Sequence, residues 1–489
     1  MRTLRNAGPA TTVAFSFAFT LACMCGPGSA AHAADLPDTP AAQRLSELTA
    51  LMAEATPDRV AAYVENHYTA EYAGFLPVDR RIASFMDWQR RGDMQIIEVL
   101  ENQPHRIDVI TEQATTGERW MLGVQVEADD PHRIERMMVG RAPMPTLEDA
   151  LSDREITERW LAYVEELAGR DLFSGAVLIA RNGERLGHGA WGLANRDFDA
   201  PNTVETRFNL GSMNKTWTAV AIAQLVEAGK LAFDDPLAKF VDYPSAEAAS
   251  KIRIEHLLTH TSGLGSYFTE DYDRKARKNM RTVDDFLALS ADQAPAFEPG
   301  TDWQYSNTGM MVLGKVIEGV SGQDYFDYIR QHVLDPAGMD RSGCFELDRV
   351  NDNLAVGYAE RWSRDGSEVV NNVFDHVVRG GPAGGCYSTV GDLFRFATAL
   401  NDGTLVSAAM AETLTTGKPE VGSPDYGYGF GIHPGRALYG HSGGFIGISA
   451  NLDITVDPAG WVVVVLANTE TSRAPTLKAR QLIGVSEPE

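Results

Sequence analysis

Phe208-Asn209-Leu210-Gly211-Ser212-Met213-Asn214-Lys215 leads straight into an apolar-periodic segment that ends at Gly229. Ser212 therefore falls at the first turn of a helix, where free N–H groups and the helix dipole favour negative charge. Lys215 lies three residues on and shares a helix face with the serine. An ammonium buried among apolar neighbours loses proton affinity, and the neutral amine can then accept a seryl proton. This is the only Ser-x-x-Lys in the chain, but such a pattern arises by chance about once per few hundred residues. Taken alone, it also fits a helix-capping serine beside a solvated lysine.

Two further stretches carry the argument. Tyr305-Ser306-Asn307 follows the breaker Glu298-Pro299-Gly300 and precedes a helical pattern over 308–320. A loop there can present a phenol hydroxyl to the Ser–Lys pair and the Asn307 amide to a substrate. His441-Ser442-Gly443-Gly444 lies in a strand-like run, where glycine lets a substrate backbone approach the strand edge. The N–H groups of Ser212 and Gly444 would form an oxyanion hole, and His441 would add a donor or, if protonated, a positive charge. Each stretch by itself is an ordinary turn or glycine-rich strand.

In this order, Ser212–Lys215, Tyr305–Asn307 and His441–Gly443 resemble the three active-site motifs of the serine β-lactamases and DD-peptidases. The resemblance is nearest to the class C enzymes and related carboxypeptidases and esterases. Softer similarities lie at Leu257-Leu-Thr-His-Thr-Ser-Gly263, Gly384-Gly-Cys-Tyr-Ser-Thr389 and Tyr426-Gly-Tyr-Gly-Phe430. The resemblance implies an α/β fold: an antiparallel sheet flanked by helices, beside an all-helical subdomain, with the site between them. It implies acylation of Ser212, acid–base work shared by Lys215 and Tyr305, substrate binding by Asn307, His441 and Gly443, and no metal or other cofactor. His441 stands where most β-lactamases of the family carry lysine. A neutral imidazole holds a carboxylate more weakly than an ammonium, so an ester or a D-amino-acid peptide is the expected substrate. A true β-lactamase is the alternative, and a non-catalytic penicillin-binding sensor is the alternative of another class.

Gly440-His-Ser-Gly-Gly444 also spells Gly-x-Ser-x-Gly, the nucleophile elbow of α/β-hydrolases. That fold needs a catalytic histidine after its serine. His441 is the last histidine of the chain, so Ser442 reads as a strand residue. His260 and Ser262 read as loop-fixing, Asp392 as the cap of a helix over 393–400, and residues 266–280 as a mobile rim or a plain solvated loop. Trp303 and Tyr428 are cleft candidates for which core packing is the default.

At 489 residues the chain is long enough for two or three domains. Residues 35–145 read as a separate α+β unit. Helical periods at 41–55, 58–72 and 78–91 give way to alternation at 94–102, 106–113, 118–128 and 133–141. Three helices followed by a four-strand meander are similar to the nuclear-transport-factor-2-like domain. Ala142-Pro-Met-Pro145 reads as a linker into the hydrolase unit, 146–489. That unit opens with a helix at 153–168 and a hairpin turning at Asn182-Gly183. It closes with strands at 438–448, 450–456 and 461–467, which suggests one sheet assembled from both ends of the unit.

The formal net charge of −24 argues against nucleic acid or an anionic membrane surface as partner. Arg2 and Arg5, a short apolar run at 12–25 and Ala31-His32-Ala33 read as a signal peptide over 1–33, cleaved after Ala33 or Ala34. A periplasmic or secreted protein is thus expected; a lipoprotein through Cys23 is the weaker alternative. No later stretch is long and apolar enough to span a bilayer. Cys344 and Cys386 remain in a compartment that permits disulfides. Their pairing is not legible from sequence, and two unpaired thiols are the expectation.

Overall fold

The computed structural model describes residues 35–144, 151–270, 272, 277–290, 293–433, 437–456, 460–471 and 473–484. The signal-peptide reading over 1–33, Pro145 of the linker, and residues 271 and 273–276 of the expected rim lie outside them.

Helices α1 (Pro40–Ala53) and α2 (Pro57–His67) begin alike: Thr39 and Thr56 accept hydrogen bonds from the backbone N–H groups of Ala42 and Arg59, with proline at the first helical position. The single helix expected over 58–72 is in fact two. Tyr68 forms a parallel bridge with Ile134, and the Thr69 N–H donates to the Ile134 carbonyl at 3.0 Å. Thr69 then caps α3 (Ala70–Phe75). Tertiary pairing outweighs local helical period here. After α4 (Val78–Arg90) come β1 (Met94–Gln103), β2 (Arg106–Gln113), β3 (Arg119–Val126) and β4 (Ile134–Arg141), an antiparallel meander in chain order. Leu45, Leu48, Ile82 and Phe85 from the helices bury against Ile107, Val109, Leu122 and Val124 from the strands.

Beyond residue 150, α5 (Asp153–Gly169) starts with a reciprocal capping box between Ser152 and Glu155. Strands β5 (Gly175–Arg181) and β6 (Glu184–Trp191) turn through Asn182 and Gly183, whose φ values of 50° and 79° suit a tight hairpin. Then follow α6 (Lys215–Glu227), α7 (Asn307–Ser321), the hairpin β7 (Tyr358–Ser363) and β8 (Gly366–Asn371), and α8 (Val390–Asn401). The chain closes with β9 (Gly431–His433), β10 (Leu438–Phe445), β11 (Ile448–Thr455), β12 (Trp461–Ala467) and α9 (Arg473–Leu482). The sheet order is β9-β10-β11-β12-β5-β6, all antiparallel, so strands from both ends do share one sheet. The turn between β10 and β11 falls at Ile446-Gly447, not at Ser449, because Gly447 takes a left-handed φ of 67°.

The two faces of the sheet separate by residue parity. Ala176, Leu178, Leu452, Val464 and Leu466 pack with Trp217, Val220 and Ile222 of the helical side. Val177, Ile179, Val463 and Val465 pack with Trp160 and Val164 of α5 and Ala479 and Leu482 of α9. Covered on both faces, β12 reads as one apolar run, and each buried valine or leucine contributes about 2 kcal/mol.

Two expectations are corrected. Cys344 and Cys386 are disulfide-bonded, with Cα atoms 4.2 Å apart. The backbones of Gly343 and Tyr387 exchange hydrogen bonds of 3.0 and 2.9 Å, which sets the neighbouring cysteines opposite each other. Asp392 does not cap α8; Thr389 does. The buried Asp392 carboxylate instead accepts from the Arg341 N–H, the Ser342 hydroxyl and Arg395.

Trp362 of β7 packs on the core formed by α1–α4 and β1–β4, and Glu360 pairs with Arg90. The Tyr163 hydroxyl of α5 donates to the Thr116 carbonyl at 2.6 Å.

Candidate active site

Ser212 sits in a single 3₁₀ turn, Gly211–Asn214, that runs directly into α6. The turn is tight because backbone from two other segments, 443–444 and 381–386, presses on it. A Cβ on Gly443 would lie 1.8 Å from the Leu210 carbonyl oxygen and 2.8 Å from the Ser212 nitrogen. A Cβ on Gly211, whose φ is 50°, would lie 2.7 Å from the Gly444 nitrogen. Strand β10 therefore abuts the turn with no room for a side chain, and the N–H groups of Ser212 and Gly444 are brought to the same place. Behind the turn, Leu210 donates to the Cys386 carbonyl at 2.8 Å and Gly385 donates to the Gly211 carbonyl at 3.0 Å. Asn214 links to Gly381 and Cys386 through both ends of its amide.

Lys215 is fully buried. Its Nζ donates to Asn307 Oδ1 at 2.9 Å and to the Ala383 carbonyl. Burial drives its pKa well below the usual lysine value. The Tyr305 ring lies 4.9 Å from Nζ; its π face favours the cation by about 1 kcal/mol, less than the several kcal/mol that burying a charge costs. A neutral amine has two hydrogens and one lone pair. Two oxygen acceptors take up the hydrogens, so the lone pair is what remains for chemistry.

Tyr305 faces the same cleft as Ser212, and burial pushes its phenol up to about 12. At neutral pH it is a proton donor, not a phenolate. The loop that presents it rests on the 260–266 segment. Ser306 donates its N–H to His260 Nδ1 at 3.1 Å and its hydroxyl to the Gly265 carbonyl at 2.9 Å. The His260 ring stands 4.4 Å from the Tyr305 ring and 4.7 Å from that of Tyr426. His260 thus buttresses the site instead of only closing a loop. Asn307, expected to offer its amide to substrate, spends Oδ1 on Lys215 and donates from Nδ2 to the Ser266 hydroxyl at 3.2 Å.

His441 differs most from its expected role. Its Nδ1 meets the Ser442 carbonyl, which can only accept, so Nδ1 carries the proton. Its Nε2 lies 2.8 Å from the Tyr426 hydroxyl. Burial lowers the imidazole pKa to about 3. The ring is therefore neutral, and Nε2 accepts from Tyr426. Neither nitrogen is a free donor for a substrate, and the positive charge considered for this position is absent at neutral pH.

Ser212, Trp303, Tyr305, Tyr426 and the 440–444 stretch of β10 line a cleft of about 630 Å³. Trp303 is 43% exposed and lines the cleft, whereas Tyr428 is buried against Phe233. Ser442 also borders the cleft but lies mid-strand, not on a strand-to-helix elbow. Sequence reasoning missed Ala383 and the pairing of Tyr426 with His441, although both lie in or beside the softer similarities. Among the described residues no group of three or more His, Cys, Asp or Glu is placed to hold a metal ion, and no helix is long and apolar enough to cross a membrane.

Residues 161–485 match the family described as Beta-lactamase. The chain is 31% identical over 354 residues to penicillin-binding protein 4* of Bacillus subtilis, covering 66% of this chain and 75% of that one. It is 31% identical over 305 residues to esterase EstB of Burkholderia gladioli, covering 55% and 77%. The crystal structure of a penicillin-binding protein from Bacillus halodurans superposes with a TM-score of 0.57 at 31% identity, covering 66% of this chain and 96% of that one. The chain belongs to the beta-lactamase family and is a serine hydrolase of the β-lactamase/transpeptidase fold.

Proposed function

We propose that the protein is an exported hydrolase that forms an acyl-enzyme on Ser212 and turns over small esters. One observation carries this reading: Ser212 shares its cleft with the protonated Tyr305, and the turn that bears it runs straight into a buried Lys215 held by Asn307 and Ala383, its pKa lowered by burial. The serine proton passes to the Lys215–Tyr305 pair as Oγ attacks the carbonyl carbon. The developing oxyanion meets the N–H groups of Ser212 and Gly444. The same pair returns the proton to the leaving alcohol, and water then releases the acid by the reverse route. Asn307 positions Lys215 in this scheme, while Gly443 permits the close approach of β10.

The engaged state of His441 favours esters over peptides that end in a free carboxylate, and an esterase stands among the relatives. The second reading, hydrolysis of D-amino-acid peptides, draws on the penicillin-binding relative. Steady-state turnover of a nitrophenyl ester, a D-Ala-D-Ala peptide and a chromogenic cephalosporin separates these readings. The ester is expected to be the best substrate. Faster turnover of the peptide would replace the first reading with the second, faster turnover of the cephalosporin would make the protein a β-lactamase, and acylation without turnover would make it a sensor. Residues 35–145 are proposed to be a separate unit of nuclear-transport-factor-2-like type, and residues 1–33 a cleaved signal peptide that delivers the protein to the periplasm or exterior.

A further inference from the structure

We infer that Tyr426 is a specificity-determining residue: by donating to His441 Nε2 it takes the imidazole away from the substrate and tunes the cleft to acyl groups without a carboxylate. This inference rests on the acyl-enzyme reading above and narrows its substrate class.

The geometry is closed from both sides. A neutral imidazole offers one donor and one acceptor, and here the Ser442 carbonyl takes the donor while the Tyr426 hydroxyl, 2.8 Å away, takes the acceptor. Tyr426 is not free to swing aside. Its backbone pairs with Gly431, its carbonyl accepts from Ser423 at 3.0 Å, and its ring packs 4.7 Å from His260. Tyr426 and His441 nevertheless both line the cleft, so the pair lies where an acyl chain running along β10 passes. Two other basic side chains of this region are engaged by the protein. Lys215 is held by Asn307 and Ala383, and Arg480 is held by Asp453 at 2.7 and 2.9 Å. Arg473, the first residue of α9, also borders the cleft.

Removing the Tyr426 hydroxyl leaves a buried imidazole acceptor without its donor. A substrate carboxylate arriving there favours uptake of one proton from solvent at Nε2, and the resulting imidazolium donates a charge-assisted hydrogen bond to it. The test compares two esters with the same leaving group, 4-nitrophenyl butyrate and the mono-4-nitrophenyl ester of glutaric acid, which differ by a terminal carboxylate. The readout is the ratio of their kcat/KM values, which is insensitive to any general loss of activity. In Tyr426→Phe the ratio is expected to move about tenfold toward the acidic ester. In Tyr426→Phe/His441→Gln it is expected to fall back. An unchanged ratio in Tyr426→Phe, or a gain that survives the double substitution, overturns the inference. A second measurement uses the unaltered protein and needs neither turnover nor a folded variant. Nitrogen-15 shifts of the His441 ring are expected to report a neutral imidazole protonated at Nδ1. A ring protonated at Nε2, or an imidazolium at neutral pH, overturns the inference whether or not the esters are hydrolysed. Failure of both esters with a neutral, Nδ1-protonated His441 would instead count against the esterase reading.

Discussion

The two walls of the cleft use their polar groups in opposite ways. On the nucleophile side, Lys215 meets two oxygen acceptors that take up the hydrogens of a neutral amine and leave its lone pair over. On the strand side, the donor and the acceptor of His441 are both consumed by protein atoms. The difference lies in the partners each fold segment supplies. Both groups are buried and both are pushed toward neutrality. One site stores reactivity and the other suppresses charge, so recognition along β10 falls to backbone and shape.

The largest effect is expected at Lys215. Lys215→Met is expected to lower kcat/KM for an ester by about a thousandfold, the scale of a lost general base. Lys215→Arg is expected to do no better, since a guanidinium keeps its proton. The pH profile carries the same claim with a definite sign. Because burial lowers the Lys215 pKa, kcat/KM rises with pH as the amine loses its proton and levels off well below the ordinary lysine range. The plateau then persists toward the Tyr305 pKa near 12. A rise that begins only near the ordinary lysine value would mean that Lys215 is charged in the free enzyme.

The strand wall is tested by Gly443→Ala. The new Cβ would sit 1.8 Å from the Leu210 carbonyl oxygen, so either β10 or the serine turn must move and the oxyanion donors part. A fall of a few hundredfold in kcat is expected, comparable to deleting one oxyanion-hole donor. Tyr305→Phe is expected to cost about a hundredfold while the yield of folded protein, read by circular dichroism, is kept. The smallest change is expected at the support behind the serine turn. Cys344→Ser/Cys386→Ser removes a cross-link spanning 42 residues, and a loss of about 2–4 kcal/mol of stability is expected, measured as a lower denaturation midpoint. Ester turnover in that variant, assayed well below the midpoint, should fall less than in any variant above.

Much of this was readable before any coordinates. Ser212, Lys215, Tyr305 and His441 could be singled out because the three stretches that carry them follow the order of the family's motifs, although each stretch alone is an ordinary pattern, and a serine at a helix start is legible from period. The β5–β6 hairpin was legible too, since Asn182-Gly183 encodes its turn. What escaped depends on contacts between distant segments. The Ala383 carbonyl that binds Lys215 belongs to a residue with no polar side chain. The Tyr426–His441 bond and the Cys344–Cys386 pairing need a register set by backbone bridges elsewhere, such as Gly343 with Tyr387. The break at Tyr68-Thr69 follows from a bridge to Ile134, sixty-six residues after Tyr68, while the helical period runs through it uninterrupted.

The central claim is that Ser212 is the residue acylated. It is tested most directly by treating the purified protein with a fluorophosphonate and locating the modified residue by mass spectrometry. A single adduct is expected on the peptide that carries Ser212, absent from Ser212→Ala. An adduct on Ser442, or labelling that survives Ser212→Ala, would contradict it.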